Sequence, residues 1–295
     1  MTFQETQRLR LGIPKGSLQE STLTLFARAG FNIVVNGRSY FPTCNDEEIA
    51  PVLLRAQEIP RYVADGVLDA GITGHDWVVE NKVDVIEVAE LVYAKQSMRP
   101  VRWVLAVHEN DEAKSVRDLE GKTIATEVVN ITRDYLASHG VNAKVEFSWG
   151  ATEVKVPHLV DAIVDVTETG SSLRENNLRI VDTVLESTTR LIANRESMRD
   201  EVKSRKIEDL AILLQGAIRA WGRVLLRMKV PQDRLPAVLG ALPLDPEPDV
   251  YAPDKSGNVI VNAVMDKGKA RRLSPELRRL GAFSLVEFAV NQLID

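Results

Sequence analysis

The 295-residue sequence holds one cysteine, Cys44, and four histidines. A lone thiol cannot close an intrachain disulfide, and neither it nor His75, His108, His139 and His158 falls at the spacing of metal ligands. Such cysteine usage is expected of a reducing compartment. No apolar run approaches the roughly 18 to 20 residues of a membrane span, and the polar stretch Thr2 to Arg10 has no apolar signal core. A cytoplasmic protein without membrane contact is expected. Neither sign of charge dominates: 37 Lys and Arg stand against 42 Asp and Glu, for a net charge of -5. Nucleic acid is therefore not an expected partner, and a phosphate-bearing ligand must be held by a local site. With 44% hydrophobic and 27% charged residues, the chain has the make-up of a globular protein of two or three domains.

The first half alternates short apolar strands with amphipathic helices. Leu9-Leu11-Ile13 alternates as a strand, and Ser17 with Glu20 has the spacing of a capping box ahead of a helix whose face is Leu18, Thr22, Leu25 and Ala29, closed by Gly30. Asn36-Gly37 is a turn signal after Phe31, Ile33 and Val35. Pro60 suits a first helical turn, Gly66 its end, and Val67 to Thr73 a strand closing on Gly71, Thr73 and Gly74. A second block begins at Val101 with "VRWVLAV". It continues through a short helix at Ser115 to Leu119, strands at Thr123 to Thr126 and Lys144 to Phe147, a helix from Asn130 to Gly140, a helical stretch near Leu159 and the strand Ala162 to Val166. This alternation predicts an α/β fold around mostly parallel sheets. A helix through Leu210, Leu214 and Trp221 then leads into a βαββαβ, ferredoxin-like order from Val224 to Ala289, with "LPLDPEPD" as a loop.

The strand at Ala162 runs into Thr167-Glu168-Thr169-Gly170-Ser171-Ser172-Leu173. Where a parallel strand ends and a helix begins, unpaired backbone N–H groups can hold an anion. Gly170 permits close approach, and Thr169, Ser171 and Ser172 add hydroxyl donors, so a phosphate suits the stretch. Asp165 and Glu168 would repel a bare phosphate but suit ligand hydroxyls, which points to a sugar phosphate. The same residues also suit a helix cap and a turn, and the motif alone leaves both readings open. Lys15 could reach a phosphate or be a solvated loop lysine; Arg55 and Arg133 could be surface ion pairs. Gly71, Gly74 and Asp69 could simply build a turn.

Three segments in order, "RLGIPKGSLQESTLTLFARAGF", "LLRAQEIPRYVADGVLDAGITGHD" and "DAIVDVTETGSSLRENNL", resemble ATP phosphoribosyltransferase, the first enzyme of histidine biosynthesis. The trailing module resembles the regulatory domain of its long form. The resemblance implies bilobal, type II periplasmic-binding-protein-like catalytic domains plus a C-terminal ACT-like regulatory domain. Lobe I would comprise residues 1–96 with 182–218, lobe II residues 97–181, and the histidine-binding domain residues 219–295. It implies that phosphoribosyl pyrophosphate (PRPP) lies on Glu153, Asp165, Thr167, Glu168, Thr169, Gly170, Ser171, Ser172 and Leu173. ATP would lie near Lys15, Gly16, Ser17, Arg55, Asp69, Gly71, Thr73 and Gly74.

Mg²⁺ is the implied cofactor, carried on substrate phosphates rather than by a side-chain cage. Histidine is the implied inhibitor at Lys229, Asp249 and Ser284, with AMP a further candidate ligand, in a dimer or hexamer. Neutral adenine N1 already carries a lone pair, so no acid–base residue is required and Asp165 and Lys15 would act by positioning. The chain departs from the common pattern at Ser17, where many members have Arg, at Val128-Val129, in the spacing from Glu153 to Asp165, and at Lys229, where some relatives carry an acid.

Overall fold

A computed structural model describes residues 8–37, 39–94 and 98–294. The chain divides into two compact units, Met1–Gln215 and Gly216–Asp295, three residues before the boundary expected at 218. In the first unit, β1 (Leu9–Lys15), β2 (Ile33–Val34), β3 (Thr43–Cys44), β4 (Ile49–Arg55), β5 (Ala70–Gly74) and β6 (Ile86–Leu91) alternate with α1 (Gln19–Arg28), α2 (Ile59–Ala64) and α3 (His75–Asn81). There follow β7 (Val101–His108), β8 (Thr123–Thr126), α4 (Val129–Ser138), β9 (Lys144–Phe147), β10 (Ala162–Thr167), α5 (Ser171–Glu175) and β11 (Leu178–Ser187). The run ends in β12 (Thr189–Ala193), α6 (Arg195–Arg199) and α7 (Glu201–Arg219).

Two five-stranded sheets result, ordered β4-β1-β5-β12-β6 and β11-β7-β10-β8-β9. In each, a single strand opposes the rest: β12 runs against β5 and β6, and β7 against β10 and β11. These are the strands that the chain enters on passing from one sheet to the other. Because β11 continues to Ser187, the chain re-enters the first sheet at Thr189 rather than at 182.

Local chemistry explains most elements. In α1, Thr22, Leu25 and Phe26 are buried and Gly30, at φ +95°, ends the helix. Ser17 does not cap it: Gly16 leaves β1 at φ +105°, and the helix starts after Leu18 with no side-chain cap. Strand β4 contains Pro51, which obscures it in the sequence; it lies at the sheet edge, where a missing N–H is tolerated. Gly71 sits in fully buried β5, where a Cβ would come within 2.4 Å of Ile59 Cγ2. Gly71→Ala is expected to lower stability by about 1–3 kcal/mol, the cost of overpacking, seen as a lower urea midpoint with an unchanged slope.

The second unit is β13 (Arg223–Pro231), α8 (Leu235–Ala241), β14 (Asp249–Val250), β15 (Asn258–Asp266), α9 (Lys267–Arg279) and β16 (Phe283–Ala289), an antiparallel sheet ordered β14-β15-β13-β16. This is the βαββαβ order read from the sequence. Along β13, Val224, Leu226, Met228 and Val230 alternate inward and pack with Val238, Ala270 and Leu277.

Candidate active site

A cavity of about 410 Å³ is lined by residues following β1 and β4, by the end of β5, and by the end of β10 from the other sheet. Lys15, Gly16, Ser17, Arg55 and Gly74 come from the first sheet and Thr167 and Glu168 from the second. Lys15 Nζ stands 4.0 Å over the Tyr40 ring, a contact that holds a cation without neutralising it.

On the opposite side, the loop after β10 is tied together by its own hydroxyls. The Gly170 amide donates to Thr167 Oγ1 at 2.7 Å, and Thr169 Oγ1 and Ser171 Oγ are 3.0 Å apart. Ser172 Oγ donates to Glu153 Oε1 at 2.6 Å, so Glu153 joins the loop despite its distance in sequence. Gly170 has φ +73°, and a Cβ there would come 3.0 Å from Arg174 Nη1, so only glycine fits without strain. Leu173 is buried, and its side chain anchors the loop from beneath. Asp165 accepts from the Thr152 hydroxyl and, at 2.6 Å, from the Val166 amide. Burial pushes its carboxyl above the ordinary range, with Glu153 and Glu127 adding to the rise against those two hydrogen bonds.

Three residues expected at the nucleotide lie elsewhere. Asp69 precedes β5, at the end away from Gly74, and is fully buried. It accepts from Arg10 Nε at 2.9 Å, Lys203 Nζ at 2.8 Å and Ser197 Oγ at 2.9 Å. That makes it a structural ion-pair centre. Gly71 is packed against α2, and buried Thr73 donates to the Ala56 carbonyl at 2.8 Å. In the second unit, Lys229 on β13 lies one ladder position from Ser284 on β16, whereas Asp249 on β14 is separated from β13 by β15. Lys229 Nζ faces Asp254 Oδ2 at 3.9 Å.

Sequence reasoning missed the floor of the cavity. Asp76, 5% exposed, accepts from Trp103 Nε1 at 2.7 Å and Ser187 Oγ at 2.8 Å. Burial raises its carboxyl pKa against those bonds. Trp77 meets Trp103 edge-on at 5.8 Å, and Glu80 of α3 accepts from the Asn130 and Ile131 amides of α4, each at 3.0 Å. Helix α3 thus ties the two sheets together beside the cavity. The only signal was the Asp76-Trp77 pair directly after "GITGH"; nothing in its spacing specified partners more than 25 residues away.

Among the described residues, no group of three His, Cys, Asp or Glu side chains is placed to hold a metal ion, and no helix is long and apolar enough to cross a membrane. Residues 55–216 match the family model of ATP phosphoribosyltransferase and residues 220–292 that of the HisG C-terminal domain. The chain is 57% identical over 287 residues to an ATP phosphoribosyltransferase of Chlorobaculum parvum, covering 97% of this chain and 98% of that protein. It is 55% identical over 287 residues to one of Pelotomaculum thermopropionicum, covering 97% and 99%. The structure of an ATP phosphoribosyl transferase (HisG:HisZ) complex from Thermotoga maritima superposes with a TM-score of 0.61 at 31% identity, covering 72% of this chain and 98% of that one. With family matches across most of its length and a cavity to which all three segments that carry the resemblance contribute, the chain belongs to the ATP phosphoribosyltransferase family.

Proposed function

We propose that the cavity transfers the 5-phosphoribosyl group of PRPP to N1 of ATP, giving phosphoribosyl-ATP and pyrophosphate, the first step of histidine biosynthesis. The observation that carries this reading is the meeting in one cavity of Lys15 and Arg55 with Thr167 and Glu168, the first two residues of a hydroxyl-rich loop whose remaining residues, with Asp165 and Glu153, lie outside that cavity's lining. The hydroxyls of Thr167, Thr169 and Ser171 offer donors to a 5-phosphate, Ser172 can join them by exchanging its bond to Glu153, and Asp165 and the Glu153 so released offer acceptors to the ribose hydroxyls. The bond from C1 to the pyrophosphate oxygen breaks as the bond from adenine N1 to C1 forms. N1 brings its own electron pair, so the protein's task is alignment and charge neutralisation. Lys15 and Arg55 line the same cavity and are positioned to meet phosphate oxygens.

The donor set around the cavity fits magnesium borne on substrate phosphates. A hard cation that keeps several waters needs only nearby oxygens such as those of Glu127 and Glu168. When bound, Mg²⁺ would supply neutralisation of the departing pyrophosphate. Histidine is the proposed inhibitor through the C-terminal unit, with Lys229 and Ser284 its candidate contacts and Asp249 placed two strands away from Lys229. A dimer or hexamer is the proposed assembly. Two other readings give different outcomes in one assay with ATP, PRPP and Mg²⁺. Formation of the phosphoribosyl adduct, slowed by added histidine, is expected. Binding of an amino acid or anion without turnover would point to a solute-binding protein, and pyrophosphate release with orotate or a free base but not ATP to another PRPP-dependent transferase.

A further inference from the structure

A second cavity, of about 540 Å³, adjoins the first and shares Arg55, Gln57, Trp77 and Glu127 with it. Its wall carries Trp149, which is 85% exposed, and Phe147, which is 52% exposed. The two rings meet edge-on with centroids 4.7 Å apart at 89°, so Phe147 braces Trp149. The backbone on either side of Trp149 is pinned. The Ser148 amide donates to the Thr126 carbonyl at 2.9 Å, and the Gly150 amide donates to Glu127 Oε1 at 3.0 Å. Ser148 is itself buried and takes a hydrogen bond from Lys155.

A large indole held by a fixed backbone yet left almost wholly in water is poorly accounted for by folding, since it buries little surface there. It is well accounted for as a flat face prepared for a ligand. The position selects the ligand. N1 of the base must reach C1 of a ribosyl group in the first cavity, so the ring that carries N1 must lie in space continuous with that cavity. Arg55, common to both, and Arg61, which faces Glu58 at 3.9 Å, line this cavity together with Glu80 and Glu127, so cationic groups that can meet the phosphates of the same nucleotide lie beside the ring. From this, and resting on the reaction proposed above, we infer that Trp149 is the stacking face for the purine ring of the nucleotide substrate and a determinant of its affinity.

The test compares W149A and W149F with the unaltered protein in steady-state kinetics and in ATP titrations followed by tryptophan emission. W149A is expected to raise KM for ATP about tenfold or more, as loss of base–aromatic stacking does, with KM for PRPP held within about twofold. W149F keeps a stacking face and restores KM for ATP, but it reduces the emission change that ATP causes to the part carried by Trp77, which lines both cavities. An unchanged KM for ATP in W149A, or an equal rise in both KM values, would overturn the inference. If the unaltered protein makes no adduct from ATP and PRPP, the reaction assignment itself fails; if it makes adduct and W149A behaves like it, only the stacking face fails.

Discussion

Asp165→Asn is expected to lower kcat/KM for PRPP by about a hundredfold or more, because the proposed charged acceptor for two ribose hydroxyls would be lost and each such bond contributes about 1.5–3 kcal/mol. The same substitution is expected to raise the thermal midpoint. Burial holds the Asp165 carboxyl above its ordinary pKa, so over the interval between the unfolded and folded values the folded state binds more protons. Stability therefore falls as pH rises through that interval, and the ionised carboxylate is a net cost at neutral pH. Asparagine removes that cost, so activity and stability should move in opposite directions. The acid limb of kcat/KM in the unaltered protein should also lie above that of an ordinary aspartate, because protonation removes the acceptor. A pH profile and a melting curve of the two proteins check both statements.

Asp69→Ala is expected to do the reverse: large loss of stability, little change in chemistry. Burial alone would push the Asp69 carboxyl upward, but the hydrogen bonds from Arg10 and Lys203, helped by Ser197, outweigh it and hold the group well below the carboxylate range. Removing Asp69 strands two cations that keep 20% and 27% of their side-chain surface in water. The loss should be about 3 kcal/mol, the low end for a broken buried pair. For a lowered pKa the stabilisation is present above the unfolded value, about 3.9, and is lost as pH falls toward the folded one. The unaltered protein should therefore lose stability on acidification below about pH 4, and Asp69→Ala should lose less over the same interval. KM for ATP, measured where both proteins are folded, should stay the same; a rise in KM without loss of stability would return Asp69 to the nucleotide site.

The contrast between these two aspartates shows what the chain disclosed in advance. The alternation of strands and helices, the βαββαβ module and the hydroxyl-rich turn after Ala162 were legible because periodicity and small polar residues act locally. Asp69 was misplaced because a strand is visible in a sequence while the end that faces the cavity is not. Asp69 to Gly74 spans roughly 17 Å at 3.3 Å per residue, and ligands of such sheets sit at the carboxyl ends. Strand β4 was hidden by Pro51, whose tolerance depends on an edge position that only the assembled sheet defines. Asp76 and Trp103 were missed because their meeting depends on the second sheet packing beside α3. Ser17 was misread as a cap because the left-handed turn at Gly16 starts the helix later.

The most direct measurement is the structure of the protein with PRPP bound. The account predicts that the 5-phosphate lies within hydrogen-bond distance of the Thr169, Ser171 and Ser172 hydroxyls, with Asp165 against the ribose hydroxyls and the pyrophosphate turned toward Lys15. A 5-phosphate bound away from the loop at residues 167–173, or a ribose that leaves Asp165 untouched, would contradict it.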